Sequence, residues 1–156
     1  MGKDREVSLR EVTADNWEKV VDLELEEDQE DHLADNSYSL AESKFNPLAV
    51  PIAIYAGKKV VGFAMYESLA EEGEPDTYSI YRFMVDKKHQ GKGYGGAALS
   101  LILDKIRATP NWRRTTICYV TENKTAKKFY ANFGFKEIGL DEDGEMVAEI
   151  CAPPGS

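Results

Sequence analysis

The chain has 156 residues, 42% of them hydrophobic and 30% charged, with a net charge of −9 and a pI near 4.8. That is enough apolar residue for one buried core and excludes an intrinsically disordered chain. The acidic balance also speaks against nucleic acid as a partner. Apolar runs such as Ala97–Ile102 are far too short to cross a bilayer, and the charged start Met1–Glu6 has no apolar stretch behind it. The expectation is a cytoplasmic protein with no membrane association. Cys118 and Cys151 lie far apart and, with His32 and His89, form no metal-ligand spacing. They read as free thiols, and no metal is expected.

Taken in order, Val7–Val12 alternates as a first strand, and Thr13–Asn16 offers caps for a helix running through Trp17 and Val20 to about Leu25. No Lys or Arg falls between Lys19 and Lys44, a gap holding Asp22, Glu24, Glu26, Glu27, Asp28, Glu30, Asp31 and Asp35. Such a run is a solvated surface or an attractant for a cationic ligand. Ser39-Leu-Ala-Glu42 has the form of a capping box opening a second helix, which Asn46-Pro47 ends. Ile52–Tyr55 and Lys59–Glu67 are strands about a turn at Ala56-Gly57; Glu71–Asp76 is an acidic turn; Tyr78–Val85 is the next strand. An apolar helix follows from about Gly93 to Ile106, then a strand Thr115–Val120 and a helix Asn123–Phe133 closed by Gly134. Phe135–Gly139 and Met146–Ile150 form the last two strands, and 152–156 is a poor structure former.

The order βααβββαβαββ predicts one domain over 1–156, with its core in about 7–150. The fold class is α/β (α+β), with a mixed, mostly antiparallel sheet and helices on both faces. The strand–helix–strand unit from Tyr78 to Val120 predicts one parallel crossover.

Gln90-Gly-Lys-Gly-Tyr-Gly-Gly96 sits between a strand and a helix. Glycines there allow positive φ, and successive amides at a helix start form an anion site. A Walker A loop would need Ser or Thr after Lys92, where Gly93 stands. The spacing Gly91, Gly93, Gly96 satisfies the dinucleotide pattern, but the loop comes late and no acid ends the following strand.

Val85–Gly96 resembles the acetyl-CoA loop of GNAT acetyltransferases, Q/R-x-x-G-x-G/A, and Asn123–Phe135 resembles their second signature, N-x-x-A-x-x-F-Y-x-x-x-G-F. Spacing and element order agree from about Val7 to Ile150. Gln29–Leu40, Val61–Tyr66 and Asp143–Glu145 resemble the bacterial diamine and polyamine acetyltransferase-like branch.

The resemblance implies direct acetyl transfer from acetyl-CoA to a small-molecule amine, foremost a di- or polyamine, in a homodimer. An amino acid, an aminoglycoside or a protein amine stay open as acceptors, as does an acyl-CoA-binding module without turnover. It places the pantetheine arm along Phe83, Met84 and Val85. The diphosphate falls on Gln90, Gly91, Lys92, Gly93, Tyr94, Gly95 and Gly96, with Lys87, Lys88 or Lys92 near the adenosine phosphates. Asn123, Ala126 and Tyr130 share a helix face toward the cofactor. Tyr130 matches the tyrosine that protonates the departing thiolate, a role open to a phenol of ordinary pKa near 10. By periodicity alone Tyr130 is a core aromatic beside Phe129 and Phe133, and Asn123 an N-cap. The positions where relatives carry a general base match Ser79 or Tyr81, and alternation puts Ser79, Tyr81, Phe83 and Val85 on one face. The expectation is water-mediated deprotonation with Tyr81 and a carboxylate, Glu27 or Asp28, while Asn36 and Tyr38 line the acceptor wall.

Overall fold

The computed structural model describes residues 6–25 and 35–154. In chain order the elements are β1 (Val7–Glu11), α1 (Trp17–Val21), α2 (Asn36–Phe45), β2 (Ala49–Ala56), β3 (Lys59–Leu69) and β4 (Glu74–Val85). They continue with α3 (Tyr94–Arg107), β5 (Arg114–Tyr119), α4 (Lys124–Asn132), β6 (Lys136–Leu140) and β7 (Met146–Cys151). Among the described residues the strands form one seven-stranded sheet, ordered β1-β2-β3-β4-β5-β7-β6. Every pairing is antiparallel except β4 with β5, which α3 joins as the expected crossover.

The sheet separates two apolar cores. Ala98, Leu99, Ile102, Leu103 and Ile106 of α3 pack with Ile54, Ala64 and Ile117, and α4 adds Phe129 and Phe133. On the other face Val20 of α1 and Leu40 of α2 meet Ala53, Phe63, Met65 and Met84. The buried α3 residues Ala98, Leu99, Ile102, Leu103 and Ile106 recur at helical spacing, so one stripe of this helix supplies the burial that fixes it. The central strands come close at Gly62, where a Cβ would lie 2.5 Å from the Met84 carbonyl oxygen.

Two expected elements are corrected. α1 stops at Val21 rather than near Leu25, because the chain then turns to the end of β4: the Glu24 amide donates to Asp86 at 2.8 Å and the Glu24 carbonyl accepts from the Lys87 amide at 2.7 Å. α2 begins before the apparent capping box. Asp35 is its N-cap, accepting from the Tyr38 amide at 2.9 Å, so Ser39 lies inside the helix and is fully buried.

Candidate functional site

β4 and β5 stay paired only from Thr77↔Arg114 to Ile80↔Ile117. Beyond that point their C-terminal ends part, and a cleft of about 450 Å³ opens between them. The carboxyl ends of parting parallel strands are where open α/β sheets place ligands, since no neighbouring strand satisfies the backbone there.

A bulge shapes the β4 wall. Met65 of β3 pairs with Arg82 but Tyr66 pairs with Ile80, so Tyr81 has no partner across the ladder. The extra residue breaks the expected alternation. Phe83 packs toward α3 and α4, whereas Tyr81 and Met84 belong to the opposite core. Ser79, Tyr81, Phe83 and Val85 therefore do not share a face as the period of two predicts.

Tyr81, Phe83, Met84, Val85 and Gln90 line the cleft from the β4 side, and Asn123, Ala126 and Tyr130 from α4. These eight expected site residues are thus brought together. The Gln90 side chain donates to the Val85 carbonyl at 2.9 Å, binding the glycine loop to the strand end. Gly91 and Gly93 hold φ of 78° and 84°, and a Cβ on either would meet nothing within 4 Å. Conformation rather than crowding requires glycine at both, and the outer surface of the loop is left open. Gly93 is the N-cap of α3 and has no side chain to offer, so the first-turn amides receive no side-chain cap.

Asn123 caps α4, its side-chain oxygen accepting from the Ala126 amide at 3.0 Å, while also facing the cleft. The helix ends in a Schellman turn: the Phe135 amide returns to the Tyr130 carbonyl at 3.1 Å and the Gly134 amide to that of Ala131 at 3.0 Å, with Gly134 at φ 98°. That closure sets the Tyr130 ring against Phe135 edge-on at 5.8 Å and in a stack with Tyr119 at 5.8 Å. Burial, with a smaller contribution from Tyr119, raises the Tyr130 phenol above its ordinary pKa. It is a neutral phenol throughout the physiological range.

Tyr81 is also held neutral. Burial, then Glu67 and Glu42, push its phenol up to about 12. Its buried hydroxyl lies near these carboxylates and Asn46 without a hydrogen bond of normal geometry.

Other expected residues lie elsewhere. Tyr94 is buried against His89, the rings 6.3 Å apart, and Lys87 pairs with Glu24 at 3.5 Å. Asn36 is buried and donates to the Val20 carbonyl at 2.9 Å, and Tyr38 is exposed outside the cleft lining. Glu27 and Asp28 lie outside the described residues. Sequence reasoning missed Arg82, Cys118, Tyr119 and Glu145, which also line the cleft. An arginine inside an otherwise apolar strand was the available signal for the first, and alternation through Thr115, Ile117 and Tyr119 for the third. Glu145 lay in the Asp143–Glu145 stretch that carries the polyamine-branch resemblance without being singled out as a site residue, and Cys118 carried no pattern that marks a site.

The sequence profile of the acetyltransferase (GNAT) family matches residues 17–135. A probable spermine N(1)-acetyltransferase of Bacillus subtilis subsp. natto is 29% identical over 145 residues, covering 90% of this chain and 95% of the relative. The spermine/spermidine N(1)-acetyltransferase of Bacillus subtilis is 28% identical over the same shares. Among solved structures, the aminoglycoside acetyltransferase AAC(6')-Ib in complex with coenzyme A superposes with a TM-score of 0.79 at 15% identity, covering 94% of this chain and 95% of that one. The PaiA N-acetyltransferase of Thermoplasma acidophilum in complex with coenzyme A gives 0.69 at 15% identity, covering 94% and 99%.

Proposed function

Because the chain belongs to the GNAT acetyltransferase family and is an acetyl-CoA-dependent N-acetyltransferase, we propose that its acceptor is a di- or polyamine whose primary amine is acetylated directly in the cleft between β4 and β5. The observation that carries this reading is the convergence of Tyr130, Tyr81 and Glu145 on one cleft at the parting of the strands. The similarity to two relatives named for spermine supports the acceptor class.

The thioester supplies the acetyl group when bound; the residues of this chain bind, orient and move protons. The β4 edge at Met84 and Val85, unpaired on the β5 side, holds an amide-bearing arm, and the amides from Gln90 to Gly96 hold the diphosphate. Asn123 and Ala126 leave room beside that arm, Ala126 by being small. The Tyr130 phenol donates its proton to the departing thiolate, a transfer worth roughly 100-fold or more in rate. No histidine lines the cleft among the described residues, and Tyr81, its hydroxyl buried and its pKa near 12, bounds the acceptor space as a neutral ring rather than accepting the amine's proton. The amine proton leaves through water to a carboxylate, Glu27 or Asp28 of the acidic segment. Glu145 at the cleft attracts the second ammonium of a polyamine.

The test is release of free coenzyme A from acetyl-CoA across a panel of spermine, spermidine, putrescine, an aminoglycoside, glycine and a lysine peptide. Spermine or spermidine should give the highest kcat/KM. Turnover of spermidine no faster than glycine would remove the polyamine assignment.

A further inference from the structure

A second cavity, of about 1000 Å³, opens between α1, the β2–β3 turn and the glycine loop, and it shares no lining residue with the cleft. Five basic side chains border it: Lys19 from α1, Lys58 and Lys59 from the turn, and His89 and Lys92 from the loop; Asp22 is its acidic member. This is a reversal of the chain's overall charge of −9. Four cations elsewhere are paired: Arg82 with Glu42, Lys87 with Glu24, Arg114 with Glu74 and Glu149, and Lys127 with Glu137. None of Lys19, Lys58, Lys59 and Lys92 has a carboxylate partner among the described residues. Lys92, Lys59 and Lys88 add to burial in holding His89 below the usual imidazole value, against the opposing carboxylate of Asp86. Several unpaired cations around a concavity focus a positive potential that a surface scatter of lysines does not. The walls include apolar Leu23 and Val61, and the volume is that of a small-molecule site.

We propose that this cavity binds an organic polyphosphate of nucleotide size, a ligand separate from the acetyl donor. Flexible ammonium groups suit phosphate oxygens presented in several directions, and the apolar wall takes a ring or chain attached to them. An extended polyanion is disfavoured by the chain's overall net charge of −9. The site lies outside the reaction cleft, so it does not depend on the acceptor assigned above.

Calorimetric titration of the full chain with magnesium-free ATP, alone and with saturating acetyl-CoA, tests the proposal. ATP should bind saturably in both conditions. The double variant Lys58→Glu/Lys59→Glu should weaken ATP by about tenfold or more while its melting temperature and acetyl-CoA affinity stay as in the parent. Lys19→Glu, on a different element, should weaken ATP independently. Absence of saturable ATP binding to the parent chain overturns the proposal. So does loss of that binding under saturating acetyl-CoA, or an ATP affinity that neither charge reversal changes, since the anion would then lie on the glycine loop alone.

Discussion

The Nε of Arg82 donates to the hydroxyl of Ser39 at 3.0 Å, tying the bulged strand of the cleft to the middle of α2. The same guanidinium reaches Glu42 at 3.3 Å and the Tyr81 carbonyl at 2.8 Å. Ser39 and Glu42, spaced like a helix start, are instead two anchors for one arginine. Arg82→Met should cost about 1–3 kcal/mol in urea denaturation, as expected for losing charge-assisted hydrogen bonds in a half-buried setting. It should also lower kcat through the displaced bulge. Parent-like stability and turnover would show that the tie positions nothing.

Tyr130→Phe should reduce kcat roughly 100-fold while leaving acetyl-CoA affinity nearly unchanged. Stopped turnover assays with a separate binding titration separate the two. The raised phenol also makes a pH prediction. A group whose folded pKa lies above its unfolded value of about 10 adds stability that is complete below pH 10 and lost as pH rises beyond it. Tyr130→Phe should therefore flatten the alkaline fall in melting temperature, and no alkaline loss of kcat below pH 10 should trace to this residue.

Gly62→Ala should destabilise the protein by more than about 2 kcal/mol. Its new Cβ would meet the Met84 carbonyl oxygen at 2.5 Å, a backbone atom that cannot rotate aside. A denaturation midpoint equal to the parent's would mean that β3 and β4 separate without cost.

Asp35→Ala should remove about 1 kcal/mol by leaving the Tyr38 amide uncapped at the start of α2. The Ser37 hydroxyl and the Tyr38 amide hold the Asp35 carboxyl below its ordinary value. That contribution is present above the unfolded carboxylate pKa of about 4 and disappears as pH falls below it. The gap between parent and variant melting temperatures should narrow between neutral pH and pH 3.

The order of elements and the sheet with helices on both faces were legible because each depends on local signals. Gly134 ends α4, Asn123 starts it, and the apolar stripe of α3 needs only its own sequence. The glycine loop and the face shared by Asn123, Ala126 and Tyr130 were legible for the same reason. The bulge at Tyr81 was not, since an added residue in a ladder is defined by the partner strand. Nor was the role of Ser39 and Glu42: a capping box and an arginine anchor use the same two residue types, and only the distant Arg82 distinguishes them. Asn36 illustrates the reverse case, a polar residue expected at a wall that is held by the Val20 carbonyl instead.

The ladder between β4 and β5 has mechanical meaning. Four residue pairs join the halves of the sheet there, against eight between β3 and β4. Flexing of one half against the other should concentrate at this narrow seam, and a molecule lodged beyond Ile80 and Ile117 would act as a strut across it. Donor binding should accordingly slow hydrogen exchange at amides of both β4 and β5, well past the atoms it touches.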